Sequence, residues 1–297
     1  MMNMTNGFLR NHQSRGKIHP MDQKSLEKGI ADLPLGPIRY FDRIDSTNTE
    51  AARWAAAGAA DLALVVSDEQ TAGKGRLGRR WYTPPGSALA FSLVLRPQAG
   101  GSVVEFSRLT ALGALGVRDA LQELYGLSPV IKWPNDVLVG GSKLAGVLVE
   151  TNWQGECLTA AILGVGINVA PASVPPAEAV GFPATCVDAC YQAHHPGKSA
   201  GRLTLLHAVL DRTLAWLVRL ASPDFITAWE AALAFRGEWV FVFQDVQEIG
   251  EGGSQAARRE GQVLGLAPDG ALRLRGRSGE EFIVQFGEIH LRPGKMG

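Results

Sequence analysis

Residues 62–86, LALVVSDEQTAGKGRLGRRWYTPPG, carry the decision between fold classes. The apolar, β-branched run from Leu62 to Ser67 reads as a buried strand. In the loop beyond it, Gly73, Gly75 and Gly78 satisfy G-x-G-x-x-G, the pattern of a dinucleotide-binding turn. Such a turn passes straight from strand to helix. Here Asp68 to Gly73 intervene after the strand, and Thr83-Pro84-Pro85-Gly86 stand where a helix would have to continue. A P-loop is excluded too, because no Gly-Lys-Ser/Thr follows a glycine at the required interval. The strand therefore does not open a doubly wound parallel unit.

The loop itself, Gly73-Lys74-Gly75-Arg76-Leu77-Gly78-Arg79-Arg80-Trp81, holds four cations, three glycines and no acid. Glycines let backbone N–H groups approach a polyanion closely, and Lys74, Arg76, Arg79 and Arg80 can neutralise it. The rest of the chain is balanced, with 29 basic and 29 acidic side chains among 297 residues and a pI near 7.0. No global field recruits nucleic acid or anionic lipid, so any polyanion is bound locally. Three cysteines, Cys157, Cys186 and Cys190, form no complete disulfide framework and point to a reducing compartment, with the cytoplasm as default. Apolar stretches such as 203–221 are broken by His207, Asp211, Arg212 and Arg219, so no membrane span is expected.

Outward from the loop, strands are expected at 38–41, 62–67, 88–95, 130–133, 143–151 and 157–169. A helix starts at Thr47 in a capping box with Glu50 and ends near Gly58. A second runs from about Val104 to Tyr125, with Leu109, Leu112, Val117, Leu121 and Leu124 on one stripe and Gly126 as its stop. Later strands follow one another through turns such as Gly140-Gly141, which makes the sheet mixed, with an antiparallel part: an α+β fold. Residues 171–197 read as an irregular excursion, and helices follow at 202–221 and 224–235, where Trp216 and Trp229 are expected to pack. After Arg236-Gly237 the texture becomes short β runs at 239–244, 261–266, 271–275 and 281–286, the pattern of a small β-barrel-like domain. Three divisions result: a mobile tail at 1–36 with at most one short helix near 23–31, a catalytic domain at 37–235, and a small β domain at 236–297. The tail cannot supply the packed helices of a helix-turn-helix. The last domain carries eight basic against nine acidic residues, which gives nucleic-acid binding no support.

Further motifs place chemistry beside the loop. Lys132-Trp133-Pro134-Asn135-Asp136 crowds a cation, an amide and an acid at a strand end, as ligand-presenting turns do. Lys143 enters the apolar strand Leu144 to Val149, where a partly desolvated amine can face a phosphate or carboxylate. Gly164 and Gly166, before Asn168, keep side chains out of a place that something approaches closely. Cys186 and Cys190 with His194 and His195 lack zinc-ligand spacing, and no protein metal site is assigned.

In order and spacing, Asp45-Ser46-Thr47-Asn48, Gln70 to Arg79, Lys132 to Asp136, Lys143-Leu144-Ala145-Gly146 and Gly164 to Asn168 resemble the biotin protein ligase family over about residues 38–292. The resemblance implies a core similar to class II aminoacyl-tRNA synthetases, flanked by helices, with a small C-terminal SH3-like barrel. It also implies a monofunctional ligase without a DNA-binding domain. The implied reaction joins biotin to ATP, taken as its Mg2+ complex, giving biotinyl-5′-AMP. Biotin then passes to a lysine of a biotin carboxyl carrier protein domain. By the family pattern, Lys143, Arg76 and Asp136 are catalytic. Ser46, Thr47, Gln70, Gly73, Lys74, Arg76, Lys143 and Gly146 bind biotin. Lys74, Arg76, Arg79, Trp81, Lys132, Asn135, Lys143 and Asn168 bind ATP or the adenylate, and Arg80 helps order the loop. Lys74 departs from the family, which usually has arginine there. A lipoate or octanoate ligase or transferase of the same fold and a non-catalytic biotin- or carrier-binding protein are the rivals. Cysteine-dependent transfer lacks a cysteine beside Lys143 in sequence. Homodimer formation stays open, and the loop's glycines predict weak order without ligand.

Overall fold

The computed structural model describes residues 21–96, 103–176, 182–244, 257–285 and 288–291. Among the described residues seven strands form one sheet: β1 (Ile38–Ile44), β2 (Leu64–Gln70), β3 (Ala88–Leu95), β4 (Val130–Lys132), β5 (Asp136–Val139), β6 (Ser142–Gln154) and β7 (Cys157–Asn168). Their order is β1-β2-β3-β7-β6-β5-β4; β1 and β2 are parallel and every other neighbour is antiparallel. The mixed α/β sheet anticipated from the turn-linked strands is thus present. Gly140 and Gly141, at φ 56° and 76°, turn β5 into β6 in a backbone conformation that glycine adopts without steric cost.

Helices cover the sheet. α3 (Val103–Tyr125) buries Leu109, Leu112, Val117 and Leu121 against it, half-buries Leu124, and stops at Gly126 with φ 63°. α5 (Arg202–Leu217) packs on α3, where Trp216 donates its indole N–H to Asp119 Oδ2 at 2.7 Å. The opposite face receives α2 (Thr47–Ala56) through the small residues Ala51 and Ala55. A second, antiparallel sheet orders β8 (Trp239–Gln244), β9 (Ala257–Leu266), β10 (Leu272–Arg275), β11 (Glu281–Val284) and β12 (Glu288–Leu291) as β11-β10-β9-β8-β12. It is joined to the first by Trp133, whose Nε1 donates to Gly270 O at 3.1 Å. Trp229, at 1% exposure in α6 (Pro223–Ala231), also packs against Gly270.

Four expectations change. The short helix expected near 23–31 is α1 (Gln23–Gly29), capped by Asp22, but 21–36 is no loose tail, since Met21, Leu26 and Ile30 are buried; residues 1–20 lie outside the described ones. Ser46, not Thr47, is the N-cap of α2 and makes no side-chain cap bond; Thr47 is the first helical residue, and its hydroxyl bonds Gln70 rather than capping the helix. β5 was unexpected, its Val137 and Leu138 hidden in a run too short to show a period. The excursion at 171–197 contains a short helix, α4 (Val187–Gln192), whose Val187 is buried.

Candidate active site

A cavity of about 770 Å3 opens above β6 and β7 and below the glycine loop. Its floor is glycine. Gly146 on β6 pairs with Gly166 on β7, and the Trp81 indole lies over both, so that a methyl at Gly166 would overlap the indole ring. A methyl at Gly164 would overlap the Asn48 carboxamide. These glycines are required by the side chains laid across them.

The loop that roofs the cavity is a hairpin. Gln70 pairs with Thr83 at its base and Lys74 with Arg80 further out, while Gly75 N donates to Arg79 O at 2.7 Å and Trp81 N to Gly73 O at 2.9 Å. At the tip, Leu77 takes φ 55° in a 3-10 turn at Arg76–Gly78. Gly73 does not line the cavity. It packs on the Trp81 backbone, where a Cβ would stand 2.5 Å from the Trp81 carbonyl oxygen, and serves the loop's geometry.

One wall is neutral and polar. Gln70 Oε1 accepts from Thr47 N at 2.9 Å and from Thr47 Oγ1 at 3.2 Å, and Gln70 Nε2 donates to Thr83 Oγ1. Behind them Ser92 Oγ lies 2.8 Å from Thr47 Oγ1 and 2.6 Å from Asn48 Oδ1. Ser46, Thr47, Asn48 and Ser92 are all buried, a preorganised set of donors and acceptors.

The other wall is cationic. Lys74, Arg76, Arg79, Arg80, Lys132 and Lys143 line the cavity and Asp136 is the one acid among the lining residues described, a balance that favours an anionic occupant. Lys143 Nζ lies 2.6 Å from Asp136 Oδ1 and Lys132 Nζ 3.7 Å from Oδ2, so one carboxylate aligns two amines. The short Lys143 contact engages Oδ1 directly, so the carboxylate is held between the two amines. Asn135, after the cis Trp133–Pro134 peptide, accepts from Arg76 NH1 at 3.1 Å and donates to Val147 O, tying the loop to β6. Lys143 is fixed through its own backbone, which bonds Pro183 O and Thr185 N, and Asn168 Nδ2 donates to Thr185 O at 3.0 Å.

Just outside the Gln70–Thr83 base a second tie holds the two ends of the hairpin: Asp68 accepts from Gly86 N at 3.0 Å and pairs with Arg202 of α5. Asn48, Ser92, Glu150 and Phe182 were missed from sequence as contributors. Asn48 belongs to a motif singled out there; Ser92 and Glu150 lie within apolar or mixed strands that carry no local signal. Phe182 places its ring 4.6 Å from Lys132 Nζ. The Cys186 thiol is buried and pushed above its ordinary pKa by that burial, the opposite of nucleophile activation. Among the described residues no group of three His, Cys, Asp or Glu could hold a metal.

Residues 40–168 match the model of the biotin/lipoate A/B protein ligase family. A biotin--[acetyl-CoA-carboxylase] ligase of Paracoccus denitrificans is 37% identical over 244 residues, covering 81% of this chain and 95% of the relative. One of Mycobacterium tuberculosis is 30% identical over 218 residues, covering 71% and 77%. In three dimensions the chain is similar to the biotin protein ligase of Aquifex aeolicus in complex with biotin and ATP, with TM-score 0.69, 28% identity, and coverage of 87% of this chain and 99% of that one. The chain belongs to the biotin/lipoate A/B protein ligase family, among its biotin protein ligases.

Proposed function

We propose that this biotin ligase joins biotin to ATP in the cavity between β6, β7 and the glycine loop, then passes the biotinyl group to a lysine of a carboxyl carrier domain. The observation that carries the reading is the pairing of a neutral hydrogen-bonding wall with a wall of six cations around one acid. A ureido ring needs matched donors and acceptors, and Ser46, Thr47, Gln70 and the backbone near Gly146 offer them. A carboxylate meeting an α-phosphate needs its repulsion screened.

In the first step a biotin carboxylate oxygen bonds to the α-phosphorus as the bond to pyrophosphate breaks. Lys143 and Arg76 hold the two anions in line. Asp136 keeps Lys143 and Lys132 aligned beside the place where the carrier amine arrives. That amine attacks the acyl carbon, and AMP leaves with the bonding pair. Lys74, Arg79 and Arg80 close the loop over the adenylate, while Trp81, Asn135 and Asn168 serve the adenine side. Magnesium enters as part of the nucleotide substrate. The second sheet is an SH3-like domain beginning near residue 236, and the reaction is cytoplasmic.

Biotin-dependent exchange of pyrophosphate into ATP tests the assignment. The wild type exchanges with biotin and not with octanoate, and Lys143→Ala lowers the rate about 10²- to 10³-fold. Exchange with octanoate alone, or with neither acid, overturns it.

A further inference from the structure

Glu150 lies on β6, outside the residues that line the cavity, yet its carboxylate is held from both sides of it. Lys74 of the loop donates to Oε1 at 2.9 Å, and Asn48 Nδ2 donates to Oε2 at 2.8 Å. Asn48 then turns its Oδ1 to Ser92, which contacts Thr47, which bonds Gln70. The loop therefore connects to the neutral wall through one acid.

We infer that Glu150 is a positioning residue that latches the glycine loop through Lys74 and sets the orientation of the Asn48 carboxamide in the binding wall. The second half of the inference rests on the biotin reading; the first does not. An ion pair with side chains 43% and 35% exposed adds little to global stability. A hairpin with three glycines is another matter, because such a loop opens locally and small energies shift that opening. The acid acts through Lys74 and Asn48, and it never touches the reacting atoms.

Glu150→Gln separates its two contacts. The amide oxygen can still accept from Asn48, whereas its NH2 group meets the Lys74 ammonium as donor against donor. In ligand-free protein, amide hydrogen exchange of residues 74–80 is expected to rise about three- to fivefold with melting temperature unchanged, the scale of an exposed ion pair. Added salt should bring the wild type to the variant's rate and leave the variant unmoved, since only the wild type has a charge pair to screen. Biotinyl-adenylate should dissociate faster from the variant by a similar factor. Unchanged or slower exchange in the ligand-free variant, or a variant that keeps the wild-type salt response, overturns the latch. Faster loop exchange with unchanged adenylate release keeps the latch and removes its role in retention.

Discussion

At the scale of single residues, the cavity is shaped as much by absent side chains as by present ones. Gly166 and Gly146 leave a flat bed for the Trp81 indole, whose Nε1 is buried without a hydrogen-bond partner. A buried N–H of that kind is costly and is relieved when an acceptor arrives, which suits a ring that meets a nucleotide base. Gly166→Ala would push the indole off its bed. The expected outcome is a KM for ATP raised about tenfold, worth about 1.4 kcal/mol, with a fall in melting temperature of only a few degrees. Steady-state kinetics against ATP check it, and an unchanged KM would separate Trp81 from nucleotide binding. The residue types that do this were visible in sequence. Gly164 and Gly166 could be read as a place of close approach, but nothing local names the approaching group, since Trp81 lies 85 residues from Gly166.

At the scale of elements, α4 directly follows the segment that anchors Lys143 through Pro183 O and Thr185 N. Asp188 in its first turn is buried, accepts from Ala200 N at 2.7 Å, and has its pKa raised above the ordinary 3.8 chiefly by desolvation. A carboxyl raised in the folded state binds protons more tightly there than in the unfolded chain. Its ionised form therefore weakens the fold at neutral pH, and that penalty fades as pH falls through the raised value toward 3.8. Asp188→Asn keeps an acceptor for Ala200 and removes the titration. Its melting temperature relative to wild type should be highest and level at neutral pH, and fall only as pH drops through the raised value toward 3.8. A difference independent of pH in thermal melts would refute this. The helix escaped detection because six residues between Pro183 and Pro196 offer no period, and only packing of Val187 and Asp188 under the strand ends makes the turn helical.

At the scale of the whole molecule, the two sheets meet beside the chemistry. Trp133, between Lys132 and Asn135, donates to Gly270 O in the turn before β10, and Arg108 NH1 and NH2 reach Leu220 O and Pro268 O at 2.6 and 2.8 Å. Ile131 also exchanges backbone bonds with Ala232 and Ala234, so the connection to the second sheet borders the strand that carries Lys132. Trp133→Phe keeps an aromatic ring, gives up part of the indole's volume and strands the Gly270 carbonyl. About 1–2 kcal/mol of stability should be lost, with a melting temperature lower by roughly 2–6 °C, together with weaker ATP affinity. Calorimetry and ATP titration check both, and a stable variant with unchanged affinity would show that the joint does not reach the site.

What the sequence determined by itself is the local chemistry and the class of sheet: glycine turns that reverse strands, apolar stripes that make helices, and cation-rich motifs whose residues are close together along the chain. Most of the candidate site was legible because its parts lie within short motifs. The tertiary structure decided which motifs face one another. Glu150 meets Lys74 across 76 residues, Arg202 meets Asp68 across 134, and Trp133 meets Gly270 across 137. Such contacts depend on strand order and register, which burial of the sheet's two faces selects collectively, and no short stretch of chain records the result.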